Sequence, residues 1–349
     1  MELDKLIEKK LERIKTFYGS PRGALINVTG AASFKEERAR PLSSWNFPKD
    51  LFPYLDTCIE AAELHWKQRE EIDDDLIPSV WPWFGIAEHS AILGGDIHFA
   101  EITSFQIPFV TDWSKLDDIA LSENNKWFKM LMDGFCYLKE KSKGRFLVRQ
   151  RGAEGPMDMA NAIRGNEFFS DLYDYPIEVH RLLGICEKAM HWYFEHQKKI
   201  IGELEGGWLT GYSVWMPGNS AGHVTEDASV MCSPAMYREF GRPYMERFCA
   251  AHDHVLIHLH GAGKHAFPDI ISIPQFSIVE FTNDPKSPSG MELFKEYEEL
   301  LKDKIILLHL NRKEIEENRD FLKDKKLIIN YFAESVDDAM SMIKSLRSL

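Results

Sequence analysis

Four short, almost wholly apolar runs stand in the second half of the chain: HVLIHLH (254–260), FSIVEF (276–281), KIILLHL (304–310) and KLIIN (326–330). Stretches with helical periodicity separate them. Apolar strands alternating with helices predict parallel strands covered on both faces. Upstream, Leu3, Leu6, Ile7, Leu11, Ile14 and Phe17 recur at helical spacing and predict an amphipathic helix over 3–18. Strands are predicted at 24–29 (ALINVT), 76–80, 146–150 and near 207–213. Helices are predicted at 52–70, 123–142, 167–173 and 176–200. Ser233-Pro234 is a helix start, with Ser as N-cap and Pro in the first turn, and Pro243 must kink or split that helix. A last helix is predicted after Ser335, with Val336, Met340, Ile343 and Leu346 facing inward. Residues 81–113, rich in Trp, Pro and Gly, read as long loops.

No internal repeat or linker interrupts the pattern, so one domain spanning 1–349 is expected. The fold class that fits is α/β, a (β/α)8 TIM barrel with an N-terminal helical extension. A barrel needs roughly 250 residues, and additions are common. A doubly wound open sheet remains the alternative, but no GxGxxG turn follows a predicted strand.

Composition narrows the function classes. The 349 residues are 44% hydrophobic and carry a net charge of -13. That balance argues against nucleic acid, whose phosphates need a basic surface. The five cysteines are scattered without a CxxC pair, as in a reducing compartment. The charged N-terminus lacks an apolar signal core, and no run approaches the ~20 apolar residues that span a bilayer. A cytoplasmic protein without a membrane partner is expected. Ser/His/Asp signatures, a P-loop and HExxH are all missing, so hydrolysis by those routes and phosphoryl transfer have no positive support.

In a barrel, functional groups gather at the C-terminal strand ends. The polar residues there are Asn27, Arg149, Arg151, Glu226, Asp227, His258, His260, Glu280, Asp284, His309, Asn311 and Asn330. His258 and His260, two apart on a strand, project to one side. They can supply half of a zinc shell, with Glu226 as third ligand; alternatively one bonds backbone and the other binds substrate. Arg149 and Arg151 can clamp a substrate carboxylate or phosphate, or form structural ion pairs with Glu154 or Asp158. Asp284 reads as a general base or substrate anchor, or as a turn residue before Pro285. Trp81, Trp83, Phe84, Trp113, Trp208 and Trp215 either line a pocket for a flat substrate or pack under loops. Asn27 completes the substrate-binding candidates.

Several segments resemble the uroporphyrinogen decarboxylase superfamily. GPMDMANAIRGNEFFSDLYDYPIEVHRLL (155–183) is similar to its Gly-Pro-aromatic-Thr-Leu-Ala segment and the Pro-Glu helix start beyond. EDASVMCSPAMYREFGRPYMERF (226–248) resembles its acidic pair, Ser-Pro-x-x-Tyr/Phe-x-Glu-Phe and Pro-Tyr pattern. HLHGAG (258–263) stands where the family carries His-x-Cys-Gly or His-x-x-Gly. With LGGDIHFAEITSFQIPFVTDW (93–113), the resemblance covers roughly residues 80–349.

The resemblance implies a (β/α)8 barrel and two possible activities. Decarboxylases of this superfamily carry an N-terminal Met-Arg-Gln-Ala-Gly-Arg segment, and nothing similar stands in residues 1–45. Corrinoid-dependent methyltransferases hold zinc through His-x-Cys and a Cys near the last strand. Here His258 fits, His260 replaces the first Cys, and Asn330 and Tyr331 stand in the last region. The resemblance thus implies a metal-assisted methyltransferase, with zinc or another divalent ion held by Glu226, His258 and His260. It would pass a methyl group between a small donor and a corrinoid protein or thiol. Arg151 and Asp284 would position substrate; Arg149, Asn27, Trp83, Trp113 and Trp208 would contact it. The expected partners are a small-molecule substrate and a corrinoid protein, and a homodimer is compatible with the sequence. A metal-free decarboxylase of a carboxylated substrate is the rival reading, and a non-catalytic ligand-binding barrel is the third.

Overall fold

The computed structural model describes residues 3–29 and 40–347. Eight parallel strands occur in chain order: β1 (Gly23–Thr29), β2 (Ser79–Val80), β3 (Leu147–Val148), β4 (Ser220–Thr225), β5 (His254–His260), β6 (Phe276–Thr282), β7 (Ile305–Leu310) and β8 (Lys326–Phe332). Six of them form one sheet in the order β1-β8-β7-β6-β5-β4, and β2 pairs with β3. The two sheets approach on both flanks. Ala153, just past β3, bridges Val224 of β4 in parallel. On the other flank the Asp75 N–H donates to the Ile26 carbonyl at 2.7 Å. The architecture is a TIM-like α/β fold.

Alternation along each strand builds two apolar layers. Ile26, Val28, Val255, Ile257, Leu259, Ile306, Leu308, Ile329 and Tyr331 pack outward against the helices. Leu25, Leu256, Ile278, Leu307 and Ile328 pack inward. The helix Leu3–Gly19 lays Ile7, Leu11, Ile14 and Phe17 against that inner layer. Burying four such side chains stabilises the floor by roughly 1.5–3 kcal/mol each. Further along the inward rows stand Asn27, His258, Glu280, His309 and Asn330, so the polar chemistry lies beyond this floor.

The flank between β1 and β2 is joined by side chains. Ile26 N–H donates to Asp75 Oδ2 and Val28 N–H to Asp74 Oδ2, both at 2.9 Å. Asp74 is fully buried and is paired with the buried Arg69 and with Lys10 at 3.0 Å. Arg13 Nε lies 2.8 Å from Asp75 Oδ1.

Several elements depart from the sequence reading. The loop-like stretch 81–113 contains a short helix, Glu88–Ala91, and an antiparallel hairpin, Asp96–Phe99 with Ser104–Ile107. Residues 207–209 pair with Trp215–Pro217 as an antiparallel hairpin instead of joining the parallel sheet. The parallel strand there is β4, which the pattern does not signal because SAGHVT carries no apolar run. The helix Pro156–Arg164 is likewise additional to the predicted elements. In the last helix Val336–Leu346, Met340 faces solvent and Ala339 and Met342 take the inward places. Ser233 caps its turn as expected, and Pro243 begins a new helix, Arg242–Ala250, after an irregular turn. Among the described residues no helix is long and apolar enough to cross a membrane.

Candidate functional site

β5 ends with His258 and His260 on its inward row, next to Glu280 on β6 and His309 on β7. The two imidazoles turn their Nε2 atoms to 3.1 Å from each other. His260 Nδ1 lies 2.8 Å from Asp284 Oδ2, and His258 Nδ1 meets Glu280 Oε2. The Tyr212 hydroxyl also reaches His258 Nδ1, at 2.8 Å. With each Nδ1–H assigned to a carboxylate, both Nε2 atoms carry lone pairs. Two lone pairs face one another only when a positive centre, a proton or a metal ion, lies between them.

Asp227 Oδ2 completes the group, 3.6 Å from His260 Nε2. One ligand atom from each of Asp227, His258 and His260 falls within 4.8 Å of the others. A tetrahedral zinc ion with bonds near 2.0–2.1 Å sets its ligand atoms ~3.3 Å apart. The separations of 3.1 and 3.6 Å bracket that value. Carboxylates behind both imidazoles are the usual support of a histidine metal site. The donor set fits a divalent ion with at least one position left for water or substrate.

Electrostatics stem from the same contacts. Burial works against charge on His258, but Glu280 overcomes it and holds the imidazole above its ordinary range. Glu280, fully buried, would be raised by burial, yet His258 and His309 bring it down to about 2. His309 Nε2 donates to Glu280 Oε1 at 2.6 Å, and its Nδ1 meets Asn330 Nδ2 at 3.5 Å. Asn27 donates to Asn330 Oδ1 at 3.2 Å. Asn27 thus braces Asn330 two residues removed from the imidazole pair.

Glu226 does not join the imidazoles. Val224 packs in the outer layer, so Glu226, two residues on, falls on that same side and Asp227 on the other. Glu226 is 2% exposed, and neither carboxylate oxygen has a hydrogen-bond partner among the described residues. Burial, then Asp158 and Asp227, pushes its carboxyl well above the carboxylate range. Asp158 fixes this turn, accepting from Ala228 N–H at 2.7 Å and Asp227 N–H at 3.1 Å.

The arginines divide. Arg151 is committed to the interior: its Nε pairs with buried Glu88, its Nη2 donates to the Gly85 carbonyl, and Trp83 covers it at 4.6 Å. Neither Glu154 nor Asp158 is its partner. Arg149 is 8% exposed and stacks on Trp81 at 3.5 Å. Its one side-chain hydrogen bond among the described residues is a long one, 3.5 Å, to the Thr210 carbonyl. Burial, then Arg151, lowers its guanidinium to about 9.

The tryptophans scatter. Trp113 stacks under Arg164 at 4.9 Å and beside Tyr175. Trp208 sits under Lys198 at 5.2 Å, in the hairpin whose Leu209 and Trp215 pack on the floor helix. Phe84 is core, against Phe47 and Tyr54. Among the expected wall residues, Trp81 is the one bound to a strand-end polar group of this site.

Two residues of the site escape sequence reasoning. Tyr212 and Ser213 both adopt φ of 56°. For non-glycine residues that is a strained conformation of the kind found at functional sites. It turns the Tyr212 ring to 4.9 Å from His223 and its hydroxyl to His258. His223 follows an irregularity in the β4–β5 register between Gly222 and Val224, which aims it inward. A Cβ at Gly152 would stand 2.6 Å from its Cε1, and one at Gly211 2.4 Å from its Nδ1, so both positions must stay bare. Burial, then His258, brings His223 down to about 3, so it is neutral. Two surface clefts, of 240 and 480 Å³, are lined by Glu298, Lys302 and Asp324 and by Lys67, Glu70 and Asp337; neither includes a site histidine.

No family model matches the chain, and no curated protein matches it in sequence. Among solved structures, a methyltransferase from Methanosarcina mazei superposes with a TM-score of 0.62 at 12% identity, covering 97% of this chain and 98% of that one. At that identity the likeness establishes a shared fold over nearly the whole length of both chains.

Proposed function

We propose that this chain is a metal-assisted methyltransferase of the uroporphyrinogen decarboxylase superfamily, its eight parallel strands forming one closed barrel. Asp227, His258 and His260 hold the ion; Asp227 takes the place that the sequence offered to Glu226. The observation that carries the reading is the pair of facing Nε2 atoms, each backed through Nδ1 by a carboxylate. The full-length likeness to a methyltransferase fold and the quoted motifs support it.

A divalent ion in this nitrogen and oxygen set, zinc in the first instance, would supply Lewis acidity to polarise a methoxy-type oxygen. The protein's own groups do the rest. Glu280 and Asp284 fix the tautomer and orientation of the two imidazoles. Asp284 is therefore a positioning residue in this reading, not a base acting on substrate. Arg149 and Trp81 contact the substrate, whereas Arg151 holds the Gly85–Glu88 turn. A corrinoid protein remains the proposed methyl acceptor, since no cysteine stands at either thiolate position.

Elemental analysis of purified protein tests this directly. About one equivalent of divalent metal is expected, with methyl transfer to a corrinoid acceptor lost on chelation. Metal-free protein with full activity would remove the reading. Decarboxylation of a carboxylated substrate is the second reading, favoured by Arg149, which no carboxylate among the described residues pairs; turnover of uroporphyrinogen would establish it.

A further inference from the structure

Arg149 carries a full charge in the interior, and no carboxylate among the described residues pairs with it. The other deeply buried arginines have an acid. Arg69 has Asp74 and Arg151 has Glu88. An unpaired buried charge is costly, and proteins keep one where a partner arrives from outside. Trp81 stacks on one face of the guanidinium and orients its plane. The Arg149 Nε is enclosed, with no acceptor among the described residues. The hydrogen bond to the Thr210 carbonyl sets Arg149 two residues from Tyr212, whose ring lies 4.9 Å from His223, itself 5.8 Å from the His258 ring.

We infer that Arg149, backed by Trp81, is a subsite for an oxyanion, a carboxylate or phosphate, carried by the small-molecule substrate. This deepens the proposed function and rests on its placing substrate beside the imidazole pair. A planar guanidinium with free N–H groups matches two oxygens of such an anion in bidentate fashion. The substrate is accordingly an anion whose charged end sits at Arg149 while its reacting end faces His258 and His260.

Calorimetric titration of the whole chain with benzoate, phenyl phosphate and the neutral isostere benzamide, each with and without metal, tests the subsite. Benzoate or phenyl phosphate is expected to bind saturably and benzamide at least about tenfold more weakly; whichever anion binds tighter identifies the oxyanion. Arg149→Met should lose about 10- to 100-fold in anion affinity, and Arg149→Lys should recover part of it. Near-ultraviolet circular dichroism checks that the variants fold; if Arg149→Met does not, Arg149→Lys and the benzamide comparison decide. Equal binding of benzamide, or anion binding unchanged in Arg149→Met, overturns the subsite. Anion binding that vanishes on chelation but survives Arg149→Met also overturns it, while leaving the metal reading intact. Anion binding that needs Arg149 in a protein without metal sustains the subsite even if the metal reading fails.

Discussion

His258 and His260 point their Nε2 atoms at one another across 3.1 Å while Glu280 and Asp284 hold their far nitrogens. With both far nitrogens protonated, the facing lone pairs mark the place where a metal ion would sit. His258→Ala or His260→Ala should drop bound metal from about one equivalent to near zero, because two remaining ligands do not retain a zinc ion against buffer. Elemental analysis after gel filtration reads this out.

The carboxylates behind the imidazoles should matter almost as much as the ligands. Glu280→Gln and Asp284→Asn are expected to weaken metal affinity by about 10- to 100-fold while leaving the donor atoms in place. Competition with a chromogenic chelator measures the loss. Unchanged affinity in both variants would show that the pairs are only structural.

Arg151 is an internal tie, and its substitution should act on stability. Arg151→Met leaves Glu88 buried without its partner and is expected to cost about 3–5 kcal/mol. Adding Glu88→Gln should restore a large part, since a neutral pair in that pocket carries no unpaired charge. Urea denaturation of the two single variants and the double variant gives the coupling. Additive losses would contradict the pairing.

Asp74 should be the most sensitive acid outside the site. It takes charge from Lys10 and Arg69 and accepts the Val28 N–H. Asp74→Ala strands two buried cations at once and is expected to destabilise by about 3–5 kcal/mol or more. The same denaturation experiment reports it.

Acid should weaken the fold between about pH 6.5 and 4. Burial, with Lys198 adding to it, brings His252 down to about 4, and burial brings His65 to about 4 as well. In that window the unfolded chain binds protons that the folded chain does not, so stability falls with pH. His252→Phe keeps the ring packing against Phe248 and removes the titration. Its melting temperature should fall less steeply across the window than that of the parent.

The parts of this fold that can be read from the chain are those buried on both faces. β5 to β8 announce themselves because outward Val255, Ile257 and Leu259 and inward Leu256 are all apolar. β4 is silent because Ser220, Ala221 and Gly222 fill tight space with small groups, and its inward His223 looks like a loop residue. Missing that strand has a consequence one residue long. Without Val224 to set the alternation, Glu226 and Asp227 are equivalent acids, and only the pleat separates them. Tyr212 gives no signal at all, since its place depends on a left-handed backbone that Gly or Asn would ordinarily supply. Arg149 and Arg151 are identical by pattern; Glu88, 63 positions before Arg151, distinguishes them.

The aspartates that receive the N–H groups of Ile26 and Val28 have a further effect. A strand whose amides meet only solvent invites a second chain to add alongside it. Here two carboxylates, locked in place by Lys10, Arg13 and Arg69, occupy that position. They also forbid sliding: a backbone ladder can shift by a two-residue step and still find amides, whereas Asp74 and Asp75 sit at one height only. Charge buried far from the chemistry thereby covers the β1 amides and sets the height at which Asn27 stands on the inward row.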